Sequence, residues 1–577
     1  KINIVFGCGG ERDIPKRKIM GRIANTYCKK VYLTDDNPRK ENPKKIRTQI
    51  KKKINKSKLF EIPSREKAIG KAINDLTSGN ILVIAGKGHE NYQEYKKRNF
   101  FSDKLEILKA IKNKNLYLSK SIKTNILQEN LKKNNLKKNI KINFASINSK
   151  KVNKNSIFIG VKGKKFDGNN FVQDSLRNGA ILAISNKKYK SSKIIFKQNP
   201  LKEFNKLSST FRKSLDAINI AITGSAGKTS LKQLTGHCLG KLEKTYFSKN
   251  SFNNKYGVPL SMFNTPQSSK FVVHEVGMDK KGEIDYLTKL INPNLGLITN
   301  ISYAHIENFK NLNQIAWAKG EIINNIIPGG TMIINLDDKY YKYFIKKAKA
   351  RKLKIITFSK NNINADVTFL NQKKSDKKYL ITLKIKNQKK SFLVSKNLSN
   401  YKENILACIS IIINYFDIGE LNRNLFIGFN IPESRGSIIN YKKGVRKLII
   451  VDESYNSNPL SFKFALERFD STYKNHIKKF LLIGNMLELG KYSKNLHMKI
   501  AEYINKSKIS KTYTYGDLTK HTFNKLKPQI RGKILNNNMD ILNLINNDLP
   551  NDSFLMIKGS NSTGLNKIIK NLRYNAL

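Results

Sequence analysis

The feature that most constrains this chain is a repeat. NIVFGCGGERD (3–13), KVYLTDD (30–36) and NILVIAGKGHE (80–90) recur in the same order as LLIGNMLELG (481–490), KTYTYGD (511–517) and SFLMIKGSNS (553–562). Gly7 and Gly86 stand 79 positions apart, and Gly484 and Gly559 stand 75 apart. Agreement in order and spacing predicts one strand-turn-helix domain at each end of the chain. Between them, apolar runs of strand length alternate with amphipathic helical stretches, the pattern of parallel sheets covered by helices. The expected fold class is α/β, with Rossmann-like domains at both ends and a parallel-sheet nucleotide domain in the centre.

A chain of 577 residues exceeds one hydrophobic core and divides into several domains. The boundaries predicted are an end-domain at 1–112, a polar linker at 113–142, a small α/β unit at 143–213, the central domain at 214–433 and the second end-domain at 434–577. The net charge of +67 invites a nucleic-acid partner. The lysines are nevertheless spread through every segment, with no arginine tract and no basic stripe interleaved with aromatics, so no nucleic acid is expected. Cys8, Cys28, Cys238 and Cys408 are far apart, which excludes a C-x-x-C pair and fits a reducing cytoplasm. No apolar run reaches the roughly 18 residues of a membrane span, and KINIVFGCGG is not a signal peptide. A start at Lys1 instead of Met reads as a fragment of a longer protein.

Chemistry concentrates in AITGSAGKTSLKQ (221–233). In the usual G-x-x-x-x-G-K-[ST] loop the first glycine would stand at 222, which is Ile222. INIAIT (218–223) is nevertheless a strand and a helix is expected from Ser230 on, placing Gly224, Ser225, Ala226 and Gly227 at a strand-to-helix turn. Its N–H groups and helix dipole favour phosphate. Lys228 would neutralise β and γ phosphates and the Thr229 hydroxyl would ligate magnesium; the alternative is a glycine turn with a solvated lysine. Glu275 ends the apolar strand KFVVHEVG, where it is either a surface carboxylate or a hard oxygen ligand. His305 follows another strand in ITNISYAHIENF. In NLNQIAWAKGEII, Ile315, Ala318 and Ile322 form a helix face that leaves Lys319 pointing to solvent or into the cleft. The Asp and Asn residues of DESYNSNP (452–459) either cap a helix or contact a nucleotide.

The short loop, with SFNNKYGVP, EVGMDKKGEI, AHIENF, AKGEII, ESRG, ESYNSNP and KGSNS, resembles the Mur ligase family over residues 117–577. That family uses a loop without the first glycine. The resemblance implies an ATP- and magnesium-dependent ligase, monomeric, that joins D-alanyl-D-alanine to UDP-N-acetylmuramoyl-tripeptide through an acyl phosphate in peptidoglycan precursor synthesis. By this resemblance Lys228, His305 and Lys319 are catalytic. Gly224 to Ser230, Asn335, Asn404, Arg435 and Asp452 bind ATP. Thr229, Glu275, His305 and a carbamylated Lys319 surround the metal, and Ser149, Asn254, Tyr256 and Asn456 face the UDP-linked substrate. Two departures stand out: Asn400 occupies a usual histidine position, and Asn148 and Lys150 replace a usual Asp and Arg.

GCGGERD, DDNPR and AGKGHE resemble the end-domain of a family member that adds meso-diaminopimelate, which implies a head-to-tail fusion of two ligases. The resemblance places Arg12, Asp36, Asn37, Arg39, Gly86 and Glu90 around that amino acid, whose ammonium needs a carboxylate and whose carboxylate needs a guanidinium. DDNPR as a surface Asx-Pro turn is the alternative. Only one Gly-Lys-Thr-Ser loop is present, so addition of diaminopimelate by this chain is not expected. A folylpolyglutamate-synthetase-type ligase and a nucleic-acid-stimulated ATPase are the rival functions.

Overall fold

The computed structural model describes residues 2–11, 13–76, 80–88, 90–95, 97–118, 142, 144–163, 166–248, 251–443, 446–472 and 478–575. The described residues form two compact units, one ending at Leu118 and the other running from Ile142 to Asn575.

In the first unit four parallel strands lie in the order Leu59–Glu61, Cys28–Leu33, Ile2–Phe6, Ile81–Ile84. The helices between them start where the sequence supplies caps. Pro43 opens the helix Pro43–Lys51 behind Asn42, whose side chain accepts from Lys44 N, and Ser64 accepts from Lys67 N before Arg65–Asp75. The helix Asp103–Leu118 runs past the boundary expected at 112, because LEILKAIKNKNLYL keeps helix-forming residues through that point. Residues 119–141, the rest of the expected linker, lie outside the described residues.

The second unit opens with a four-stranded parallel sheet, Phe144–Ser146, Ser156–Ile159, Ala180–Ser185 and Ile194–Phe196. A nine-stranded sheet follows. Its parallel part is ordered Thr245–Phe247, Phe271–Glu275, Ile218–Thr223, Leu295–Ile298, Thr331–Asn335, Lys354–Ser359, Val367–Ser375, and Lys378–Ile385 and Gln388–Ser395 extend it antiparallel. Ile220, Ala221 and Ile222 are all fully buried, as a central parallel strand covered on both faces requires. The last sheet is ordered Ser437–Lys443, Arg446–Glu453, Ser553–Lys558, Lys479–Gly484, Lys511–Tyr515, Arg531–Leu535. Its Phe462, Leu481, Ile483 and Met486 share one core with Ile298, Ile306 and Ile334 of the central domain. Among the described residues no helix is long and apolar enough to cross a membrane.

The repeat is visible strand by strand. Dropping the first two strands of the last sheet leaves the order of the first unit. Phe6 pairs with Leu33 and Val5 with Ile84, just as Ile483 pairs with Thr514 and Leu482 with Ile557. With Gly7 set on Gly484, the registers therefore set Asp36 on Asp517, Arg39 on Lys520, Ala85 on Lys558 and Glu90 on Thr563.

Candidate active site

The strand Ile218–Thr223 delivers the loop, and two of its glycines are sterically required. Gly224 has φ +142, and a Cβ there would lie 1.8 Å from Thr299 Oγ1; Gly227 has φ +82. The helix begins at Lys228, two residues before the expected Ser230, so Lys228 and Thr229 occupy its first turn, where backbone N–H groups lack helical partners. Lys228 Nζ donates to Gly224 O at 2.7 Å. Burial pulls this lysine below its ordinary range, Glu275 opposes that and Arg435 adds to it.

Glu275 ends Phe271–Glu275 and is buried. It accepts from Thr229 Oγ1 at 2.8 Å and Asn253 Nδ2 at 2.9 Å, and Lys232 Nζ lies 3.4 Å away. Burial pushes its carboxyl up, but Lys232, Arg435, Lys228 and the Thr229 hydroxyl together hold it below the usual carboxylate range. A charged carboxylate 2.8 Å from a hydroxyl is a pair of hard oxygens that fits a magnesium ion. Lys232 was not singled out from sequence, although its i+4 spacing from Lys228 puts both on one helix face.

A cavity of about 400 Å³ opens at this loop. Ser225, Ala226, Gly227, Lys228, Thr229 and Ser230 line it from one side. Glu275, His305, Asn254, Asn400, Asn404, Arg435 and Asn456 complete much of the wall. The second end-domain thus closes over the loop: Arg435 Nη2 donates to Ser251 Oγ at 3.1 Å, and Asn458 Nδ2 reaches Ser225 O at 3.4 Å. The Arg435 guanidinium lies 4.1 Å from the Tyr455 ring centre. His305, in the left-handed region at φ +59, brings Nδ1 to 2.7 Å from Glu488 Oε2 and 3.3 Å from Asp279 Oδ1. Its hydrogen bond holds the Glu488 carboxyl below the usual range against partial burial.

Several expectations shift. Asn335 and Asp452 do not line this cavity. Asn335 Nδ2 donates to Thr299 O and its Oδ1 accepts from Asp337 N, so the amide braces the turn behind the wall. Asp452 accepts from Ser454 N and Oγ and from Ser434 Oγ, fixing the turn that carries Arg435. Asn458, in the same motif, accepts from Ser461 N and begins the helix Pro459–Thr472. Asn254 Oδ1 accepts from Tyr256 N and Gly257 N, which fixes the turn leading into the helix Gly257–Phe263. Tyr256 and Ser149 line a different cavity of about 720 Å³, rich in phenylalanine, in which Asn148 and Lys150 also stand.

Lys319 ends Leu312–Lys319 and is 1% exposed, so it does not point to solvent. It is not a lining residue either. Burial holds its amine well below the ordinary lysine range, and the charge of Lys228 lowers it further. Among the described residues no three His, Cys, Asp or Glu side chains gather to hold a metal.

Lys558, Glu453 and Arg468 also line the cavity; the first two stand in the motifs KGSNS and ESYNSNP without having been singled out as site residues, and Arg468 carries no sequence signal. Lys558 ends Ser553–Lys558, is buried, donates to Asn456 O at 2.9 Å and lies 3.7 Å from Glu453 Oε2. Burial pulls it down to about 8 despite Glu453, with Arg468 and Arg435 acting in the same direction.

In the first unit, Asp36 and Asn37 are buried, not part of a bare surface turn. Lys87 Nζ donates to Asn37 Oδ1 at 2.7 Å and lies 3.3 Å from Asp36 Oδ1 and 3.5 Å from Glu90 Oε2. Asn37 Nδ2 donates to Glu90 Oε2, Arg39 donates to Gly10 O, and a Cβ on Gly86 would meet Asp36 Oδ2 at 3.1 Å. Arg12 lies outside the described residues.

Comparison with known proteins agrees with this geometry. Family models match as Mur ligase glutamate ligase domain over 1–88, Mur ligase family catalytic domain over 141–208 and Mur ligase middle domain over 222–412. The UDP-N-acetylmuramoyl-tripeptide–D-alanyl-D-alanine ligase of Buchnera aphidicola subsp. Acyrthosiphon pisum is 30% identical over 451 residues, 75% of this chain and 93% of its own. That of Rickettsia prowazekii is 29% identical over 430 residues, 74% of this chain and 94% of its own. The UDP-N-acetylmuramoyl-L-alanyl-D-glutamate–2,6-diaminopimelate ligase of Rickettsia typhi is 55% identical over 93 residues, 16% of this chain and 19% of its own. Among solved structures, MurF from Acinetobacter baumannii superposes with TM-score 0.68 at 22% identity, covering 78% of this chain and 98% of its own. The MurF ligase of Thermotoga maritima, solved in complex with ADP, gives 0.63 at 21%, covering 74% and 97%. Sheet order, loop and relatives converge: the chain belongs to the Mur ligase family.

Proposed function

We propose that residues 142–575 form an ATP- and magnesium-dependent ligase that adds D-alanyl-D-alanine to UDP-N-acetylmuramoyl-tripeptide. The observation that carries this is the convergence of Lys228, Thr229, Glu275 and Arg435 on one cavity at a glycine loop, together with relatives of that name along nearly their whole length. A carboxylate is a poor electrophile. Its oxygen attacks the γ-phosphorus of ATP, ADP leaves and an acyl phosphate forms. The dipeptide amine then attacks the acyl carbon, the new C–N bond replaces the C–O bond to phosphate, and the amine loses a proton.

Positioning and charge neutralisation dominate such transfers. Lys228 is a desolvated cation at a helix N-terminus, so an incoming phosphate supplies the anion that its burial lacks. Arg435 adds a second cation from the end-domain. Thr229 and Glu275 would hold magnesium, which neutralises charge on the transferring phosphoryl group. Lys319, whose ammonium form is disfavoured by burial and by the charge of Lys228, is suited to react as the amine with carbon dioxide, forming an N–C bond and releasing a proton to leave a carbamate anion. The larger apolar cavity containing Ser149 and Tyr256 takes the uridine-linked end of the substrate.

The first unit is proposed to recognise meso-diaminopimelate, as the 55% identical relative acts on a 2,6-diaminopimelate and the Asp36, Asn37 and Glu90 group offers carboxylates for an ammonium. This would make the chain part of a two-ligase fusion. The deciding assay follows ADP release. It should require both UDP-N-acetylmuramoyl-tripeptide and D-alanyl-D-alanine with magnesium; turnover driven by polynucleotide and indifferent to the dipeptide would refute the ligase assignment.

A further inference from the structure

The first unit leaves bare an apolar surface that its repeat covers. Strand register sets Ile2 on Lys479, Ile81 on Phe554 and Val83 on Met556. With Gly7 on Gly484, the helix Pro15–Tyr27 falls on Ser493–Asn505, so that Ile19 meets Leu496, Ile23 meets Ile500 and Tyr27 meets Ile504. Glu11 and Glu488, matched by the same offset, both take left-handed backbone, at φ +54 and +63. In the second copy Phe554, Met556, Leu496, Ile500 and Ile504 are all buried. In the first unit Ile81 is 64% exposed, Ile23 53% and Tyr27 72%, and Ile2, Ile19 and Val83 are exposed with them.

The difference traces to one strand and one helix. In the second copy the helix Pro459–Thr472 places Phe462, Ala465, Leu466 and Phe469 in the same core as those five side chains. Their i, i+3, i+4, i+7 spacing is one apolar helix face. The strand Arg446–Glu453 before it pairs in parallel with Ser553–Lys558. Among the described residues of the first unit neither element has a counterpart, and Ile81–Ile84 is the edge of its sheet. The other face of that strand is filled, since Leu82 and Ile84 pack against Ala68, Ile69, Ala72 and Ile73. On the bare face Ile4, the neighbour of Val83, shares a core with Ala24, the neighbour of Ile23. The exposed strand and helix residues therefore flank one groove.

We propose that this groove is a docking site for a strand-and-helix segment of protein with the chemistry of residues 446–472. Its apolar strand adds in parallel to Ile81–Ile84, and its helix lays an aromatic and aliphatic face on Ile19, Ile23, Tyr27 and Val83. An edge strand presents unpaired N–H and C=O groups, a template for another strand. A lipid surface would bury those groups without partners, which is costly. A second copy of this chain would bring Lys18 and Arg22, exposed beside Ile19 and Ile23, against the same cations. A segment with acidic residues on its rim meets both the cations and the apolar floor. The proposal rests on burial and register, and stands apart from the ligase function above.

The test grafts residues 437–477 ahead of Lys1 of the full chain, the place they hold ahead of Lys478 in the second copy. Hydrogen exchange over residues 80–84 and 19–27 should slow about 10-fold or more relative to the ungrafted chain. The melting temperature of the first unit should rise by about 5 °C or more. Phe462→Asp with Phe469→Asp, made in the grafted copy alone, should abolish both effects. Ile23→Asp in the first unit should abolish them too, yet shift melting of the ungrafted chain by no more than about 2 °C, as for a residue that faces water. Unchanged exchange at residues 80–84 in the grafted chain overturns the proposal. Dimerisation of the ungrafted chain that Ile23→Asp abolishes also overturns it, by assigning the groove to a second copy. Ile23-dependent cosedimentation with phosphatidylglycerol vesicles overturns it in favour of a lipid surface.

Discussion

The two end-domains of this chain share a sheet and differ in what their turns carry. Ile2–Phe6, Cys28–Leu33 and Ile81–Ile84 have the order and register of Lys479–Gly484, Lys511–Tyr515 and Ser553–Lys558. Yet Ala85, whose carbonyl merely accepts from Arg65, corresponds to Lys558, a buried amine facing the nucleotide cavity. The first domain gathers its charges around Lys87, whereas the second distributes Lys558, Arg435 and Glu488 towards the phosphate loop and His305. A parallel sheet is specified by apolar strands and glycine turns, which tolerate any residue just beyond the strand end. Function can therefore diverge at those few positions with the fold unchanged.

The comparison is broken most severely at Lys319, which has no counterpart in the first unit. Lys319→Ala should lower kcat for D-alanyl-D-alanine addition by at least about 10³-fold, the scale of removing a charged group that organises the transferring phosphate. Short-chain carboxylates should restore part of it by standing in for the carbamate. Binding of diaminopimelate, measured by calorimetry, should be unchanged. Near-normal kcat would return Lys319 to a packing role.

Lys558 gives the next largest effect. Lys558→Ala makes the second domain resemble the first at this position, and kcat should fall about 10²-fold through loss of a cation beside the reacting groups. Its pKa of about 8 lies below the unfolded lysine value. From about pH 8 to 10.4 the unfolded chain therefore holds more protons at this site, and stability attributable to Lys558 rises with pH across that window, by about 3 kcal/mol. Denaturant unfolding at pH 7.5 and pH 10 should show this rise in wild type relative to Lys558→Met. Equal pH dependence in the two proteins would refute the buried charge.

In the first domain, Glu90→Gln removes a carboxylate from the Asn37 and Lys87 network. Diaminopimelate affinity should fall about 10-fold, as for a charged hydrogen bond, with D-alanyl-D-alanine ligation untouched. A change in ligation instead of affinity would show that the two domains do not divide the work as proposed. The smallest effect concerns Glu488→Gln, which weakens the half-exposed contact to His305. Stability should fall by less than about 1 kcal/mol in chemical denaturation. The native carboxyl is held below its ordinary value, so whatever stability it contributes is present above that value and lost as pH falls through the native one. A loss of several kcal/mol would mean that this contact alone holds the end-domain closed.

Local pattern made much of this molecule readable. The strands INIAIT and FVVHE, the glycine loop, the repeat and the carboxylate at the end of its strand all follow from residues near one another in sequence, because a strand's burial and a turn's φ depend on short stretches. The α/β class and the family resemblance were legible for the same reason. The role of a polar residue just behind a site was not. Asn335 and Asp452 stand in motifs beside nucleotide-binding positions, yet their side chains hold Asp337, Ser454 and Ser434 instead of lining the cavity.

Sequence alone therefore determined several of the apolar strands, where the phosphate loop lies and that one domain type occurs twice. Only tertiary structure decided that Lys319 is buried, that Lys558, Glu453 and Arg468 join the cavity wall, and that Glu488 reaches His305 across 183 positions. The physical reason is that desolvation and ion pairing depend on which distant surfaces come together. A lysine on a helix reads the same in sequence whether water or a neighbouring lysine's field surrounds it, and only packing separates the two.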